Sequence, residues 1–125
     1  VGVRVDANGQ RFIVVHRNGR SFSRGADGRR VFENIDEDLA VIPLVGDGLW
    51  MRINYVFTPQ EEGEEADTAT FSWSTDGKEW ITADYKLPMR FTLDYFTGYR
   101  SALYHFNTLG EGGIADFDWF HQWTY

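Results

Sequence analysis

Two stretches of the chain alternate apolar and polar residues. From Trp50 to Phe57, Met51, Ile53, Tyr55 and Phe57 share one face, and Arg52 and Asn54 lie on the other with Trp50 and Val56. From Thr68 to Ser74, Ala69, Phe71 and Trp73 face one way; Thr68, Thr70, Ser72 and Ser74 face the other. A period of two with one apolar face predicts half-buried antiparallel strands. Phe12-Ile13-Val14-Val15 and Val41 to Val45 are further short β-rich runs, and Pro43 within the second points to a sheet edge or a bulge. Between the runs stand Asn8-Gly9, Asn18-Gly19, Asp27-Gly28, Asp47-Gly48 and Asp76-Gly77. These dipeptides accept positive φ and favour tight hairpins. No segment sustains a helical apolar period over three turns. Short strands separated by regular turn signals predict an all-β sandwich or barrel.

The chain has 125 residues, which fits one domain spanning 1–125. Its opening, Val1-Gly2-Val3, already reads as mid-strand, so a piece of something longer is expected, with further strands preceding it. No apolar run approaches the roughly 20 residues of a membrane helix, and no membrane partner is expected. With no cysteine, disulfide scaffolds and thiolate metal sites are excluded. Nineteen acids against twelve bases disfavour a nucleic-acid groove, which needs clustered Lys and Arg against phosphate. Ten Phe, six Tyr and five Trp are unusually many aromatics. Most should pack in a core; the remainder can stack on sugar rings.

Candidate chemistry is sparse. The segment Glu61-Glu62-Gly63-Glu64-Glu65-Ala66-Asp67 carries five of the nineteen acids and reads as a solvated hairpin loop. It is one place for a structural calcium, as are Asp116 and Asp118, but it lacks EF-hand spacing, and no cofactor is expected. Asp116 and Asp118 stand two apart in Ala115-Asp116-Phe117-Asp118-Trp119-Phe120. On a strand they share a face, whereas a glycosidase needs carboxylates on opposite sides of the bond it cuts. His16, His105 and His121 show no metal-ligand spacing. Thr108 to Gly113 reads as a connection between two strands, and no catalytic residue is assigned. Ser-Thr-Asp-Gly-Lys-Glu-Trp, residues 74–80, resembles the Asp-box hairpin of sialidases but is one residue short. It is read as a structural turn that returns Trp80 on the next strand.

The C-terminal third holds the most specific motifs. Phe-Thr-Gly-Tyr-Arg-Ser-Ala-Leu-Tyr (96–104) is followed by Gly-Gly-Ile-Ala-Asp-Phe-Asp-Trp-Phe (112–120). Together they resemble the C-terminal β-sandwich of glycoside hydrolase family 43, the β-xylosidases and α-L-arabinofuranosidases. Phe71 to Trp80 and the opening Val-Gly-Val-Arg with Val-Val-His-Arg-Asn-Gly carry the same resemblance more weakly. It implies a concanavalin-like jelly roll of two antiparallel sheets. It also implies a partner, a five-bladed catalytic propeller that would lie upstream and hold the catalytic acids. In some members a loop of the sandwich reaches the propeller's mouth and lends an aromatic side chain to the pocket. The matching loop here is Asp94-Tyr95-Phe96-Thr97-Gly98, with Phe96 first and Tyr95 second; Tyr99 and His105 complete the implied substrate-binding set. Phe96 either stacks on a pentose ring and limits pocket depth, or packs at the interdomain contact. Ser101 and His105 depart from the bulkier apolar and amide residues common there, so His105 is a pocket residue or a surface choice.

Three functions are compatible with this reading. The first is an accessory sandwich of a family 43 enzyme acting on xylo- or arabino-oligosaccharides, stabilising the propeller and shaping its mouth. The second is an independent xylan-binding module, and the third is an interaction sandwich with no sugar ligand. Aromatic exposure discriminates the first two: a binding module presents a planar row of Trp or Tyr, an accessory domain an interface-sized apolar patch. Trp73 and Trp119 are expected to be buried, and Trp123 and Tyr125 to cover the sandwich or meet the propeller. The compartment stays open between secreted, periplasmic and cytoplasmic.

Overall fold

The computed structural model describes residues 1–89, 99–108 and 110–124. Its strands are β1 (Gly2–Val5), β2 (Arg11–Arg24), β3 (Arg30–Pro43), β4 (Trp50–Val56), β5 (Thr68–Ser74) and β6 (Ile81–Pro88). They form two antiparallel three-stranded sheets, β1-β2-β3 and β4-β5-β6. No helix occurs among the described residues. The all-β, two-sheet antiparallel sandwich predicted from the sequence is the observed architecture.

The core lies between the sheets. Ile13 and Val15 of β2 meet Trp73 of β5, each 3 % exposed, and Ala40 of β3 and Ala83 of β6 pack around them. Trp73 and Ala69 of β5 are buried on the inner face as expected, but Thr68 and Ser74 on its other face are buried as well, so this central strand is covered at both ends and not simply half-buried. On β6, Ala83, Tyr85 and Leu87 are half-buried while Thr82, Asp84 and Lys86 are exposed. Toward one edge the core turns polar. Arg17 lies with its guanidinium 5.1 Å from the Tyr85 ring centroid and pairs with Glu37. This closes a cleft of about 130 Å³ lined in part by Val1, Leu39, Tyr85 and Leu87.

The turns use glycine selectively. At Gly9, Gly28 and Gly77 φ is +79, +76 and +72, which places these glycines in the left-handed region. Asp6 and Asp27 brace the first two turns by accepting backbone N–H bonds. Asn18-Gly19 makes no turn. It sits inside β2, Gly19 opposite Ile35 in an unbroken ladder. A glycine is as free to extend as to turn, and the partner strand decided the outcome. Pro43 ends the edge strand β3 as its missing N–H requires, and a bulge interrupts β2–β3 pairing at Val15/His16. Beyond the bulge this hairpin runs on as an arm whose residues are mostly exposed.

The C-terminal third carries no strand among its described residues. The chain is nevertheless extended there: Tyr104 and Phe106 stack with centroids 5.8 Å apart, and Trp119 meets His121 at 4.8 Å. Neighbours two apart touch only where successive residues point to opposite sides. The period-two pattern is present, but among the described residues no backbone ladder forms on it, and the expected strands on either side of the 108–113 connection are extended segments.

Candidate functional site

The loop with the two leading candidates, Tyr95 and Phe96, lies outside the described residues. Tyr99 and His105 are described, and both are exposed. The His105 ring stands over Gly113, where an added Cβ would meet Nε2 at 3.2 Å. Beside it, the Asn107 amide donates to the Gly112 carbonyl at 2.8 Å. Gly113 has φ +92, so a side-chain-free, left-handed residue lets the return segment pass under His105. His105 thus braces the joint between the two C-terminal segments. The Tyr55 hydroxyl is 2.7 Å from that of Ser101, which ties the first segment to β4.

This C-terminal region presents a large apolar surface. Tyr104, Phe106 and Ile114 are 74 %, 69 % and 88 % exposed; Trp119, Phe120 and Trp123 are each more than half exposed. The expected burial of Trp119 is therefore corrected: among the described residues no ladder forms beside its segment, and its ring is more than half exposed. Asp116 and Asp118 are exposed. Among the described residues no group of three His, Asp or Glu side chains could hold a metal ion.

A second arrangement joins the expected 74–80 turn to a contact that was not legible in the sequence. The 74–80 turn is closed by its own side chains. The buried Ser74 hydroxyl accepts from the Gly77 N–H at 2.8 Å and donates to Asp76, whose carboxylate accepts from the Lys78 and Glu79 N–H groups. The bond from Lys78, then that from Glu79, holds the Asp76 carboxyl below its usual range. Gly77 packs on Trp50, and the turn delivers Trp80 to the outer face of β4-β5-β6. There the Arg52 guanidinium lies 3.7 Å from the Trp80 ring centroid. Arg52 belongs to β4 and Trp80 precedes β6, so the contact spans the central strand, where Ser72 and Ser74 are small enough to lie beneath it. The outer face continues through Asn54 and Thr70 to an open hollow of about 340 Å³ bounded by Glu64, Glu65 and Lys86.

A third cluster crosses the other sheet. Arg4 donates to both Asp38 oxygens at 2.6 and 2.8 Å, and His16 lies between Asp38 and Asp36 at 2.9 and 3.2 Å. The Arg4 bonds, then that from His16, hold the Asp38 carboxyl far below its usual range. Each partner is satisfied by another, although His16 also borders the small cleft beside Arg17 and Tyr85. It is a surface ion-pair network pinning β1, β2 and β3 together.

No curated protein and no solved structure matches the chain. Residues 30–122, well over half of it, match the family described as the β-xylosidase C-terminal concanavalin A-like domain, of glycoside hydrolase family 43. The match runs from the start of β3 through the β4-β5-β6 sheet and the aromatic C-terminal segments, including the two motifs that carried the resemblance, and leaves out β1 and β2. The chain belongs to the family of concanavalin A-like domains found at the C-terminus of family 43 β-xylosidases.

Proposed function

We propose that this domain is the accessory sandwich of an enzyme acting on xylo- or arabino-oligosaccharides. It stabilises the catalytic propeller and lends the loop around Phe96 to the mouth of its active site. The observation that carries this reading is the apolar surface of the C-terminal segments. Tyr104, Phe106, Ile114, Trp119, Phe120 and Trp123 are large, exposed and close in sequence. So many large exposed apolar side chains in one region mark an interaction site, and a domain accompanying a catalytic domain in one enzyme supplies the partner. The free xylan-binding module is less well supported: Trp50 and Trp80 are half-buried, and Arg52 lies over one face of the Trp80 ring, so they offer no open planar row.

The test is kinetic and uses the intact enzyme. Phe96→Ala should lower kcat/KM on xylosides or arabinosides by roughly tenfold, the loss of one aromatic contact at the transition state, with the melting temperature unchanged. Trp119→Ser with Phe120→Ser should lower the melting temperature of the catalytic domain and leave KM nearly constant. Unchanged kcat/KM in the first variant refutes the loop's role; unchanged melting in the second refutes the stabilising contact.

A further inference from the structure

We propose that the outer face of β4-β5-β6 is a second saccharide site, one that selects a chain bearing a uronic-acid branch through Arg52. Among the described residues no carboxylate lies within ion-pair distance of Arg52, although acids outnumber bases in the chain. Its guanidinium carbon lies over the Trp80 ring, 3.7 Å from the centroid, a separation that suits stacking. Stacking holds a guanidinium flat and leaves its edge, the donor fork that fits a carboxylate in two parallel bonds, turned outward. Arg52 is also exposed, so the fork is accessible.

The rest of the face suits the sugar chain that would carry such a branch. Asn54 is exposed two residues along β4, about 7 Å away at strand spacing. Opposite it is Thr70, and across the sheet from Arg52 come Ser72 and then Thr82, their hydroxyls 2.9 Å apart. Amide and hydroxyl groups donate and accept, as sugar hydroxyls require. The hollow beyond ends in Glu62, Glu64 and Glu65, with Lys86 bonded to Glu65 at 3.3 Å. Carboxylates accept from sugar hydroxyls and repel another carboxylate. The face is therefore polarised: the branch sits at Arg52 and the neutral pentose chain crosses Asn54 and Thr70 toward the acidic end. The saccharide class rests on the proposed function; the carboxylate preference rests on Arg52 alone.

Calorimetric titration of the intact protein with three probes tests this: a neutral linear xylo-oligosaccharide, the same oligosaccharide carrying one glucuronate branch, and free glucuronate. The branched probe should bind at least roughly tenfold more tightly than the neutral one, the gain of a hydrogen-bonded charge pair. Arg52→Gln should abolish that difference, and Arg52→Lys, which keeps the charge but not the fork, should lose most of it. Equal affinity for the two oligosaccharides overturns the proposal. So does free glucuronate binding as tightly as the branched chain, which marks a simple anion site. A variant that lowers the enzyme's melting temperature while leaving both affinities unchanged assigns Arg52 to an acidic group of the catalytic domain, and the proposal falls. The Phe96 kinetics are independent of these outcomes, so failure of either reading is distinguishable.

Discussion

Replacing Gly77 by alanine separates two costs that usually come together. The first is conformational. Gly77 has φ +72, and an L-residue held in the left-handed region loses about 1–2 kcal/mol. The second is steric. The new Cβ would stand 3.3 Å from Trp50 Cε2 and 3.4 Å from Nε1, inside ordinary van der Waals contact. Trp50 is half-buried and can yield by a few tenths of an ångström, so overpacking should add about 1 kcal/mol. Reduced freedom of the unfolded chain returns about 0.4–1 kcal/mol. Gly9 is the control: φ is +79, but a Cβ there meets nothing within 4 Å. Gly9→Ala should therefore cost about 1 kcal/mol net, and Gly77→Ala about 2 kcal/mol. Urea unfolding followed by Trp fluorescence measures both, and in a thermal melt the difference is about 4 °C. Equal losses would show that the indole contact is energetically empty. If neither variant loses stability, the argument from φ fails as well.

Acid should weaken the fold in a defined window. Asp38 and Asp76 both have carboxyls held below the ordinary value of 3.8. A depressed folded-state pKa contributes stability that is fully present above the ordinary value and lost as pH falls through the folded one. The urea midpoint should thus be flat down to about pH 5 and fall steadily through and below the ordinary carboxylate pKa. Asp76→Asn, which cannot titrate, should fall less steeply; an unchanged slope would contradict the assignment. Trp73→Ala empties the centre of the core and should cost about 3–5 kcal/mol, whereas Ile81→Ala, at an exposed position, should stay within about 0.5 kcal/mol. Comparable losses at the two positions would misplace the core.

The strands were legible wherever one face was apolar. Ala69, Phe71 and Trp73 against Thr70, Ser72 and Ser74 is the pattern of a strand with one apolar face, and β5 is that strand. The Asp76-Gly77 turn was legible because its residues make the turn themselves. Asn18-Gly19 was misread because the same dipeptide, with fourteen-residue strands on both sides of the hairpin, is held extended by the partner. The burial of Trp119 was misread because alternation identifies a face but not whether anything covers it. The Arg52–Trp80 contact was out of reach for a different reason. It joins residues of different strands across a third, and depends on the register of two ladders, which no local pattern specifies.

That register couples the fold to the outer face. On β5 every second residue is core, and those between must be small for Trp80 to cross to Arg52. A slip of one residue would turn Phe71 and Trp73 outward and bury Thr70 and Ser72, destroying core and outer face together. The hydrogen bonds from Ser74 and Asp76 fix where β5 ends and the return begins, and so guard against the slip. The turn that resembles an Asp-box is therefore more than a connection. Loosening it should disturb Trp80 before it disturbs Trp73, because Trp80 follows directly from the turn while Trp73 is held by contacts from both sheets.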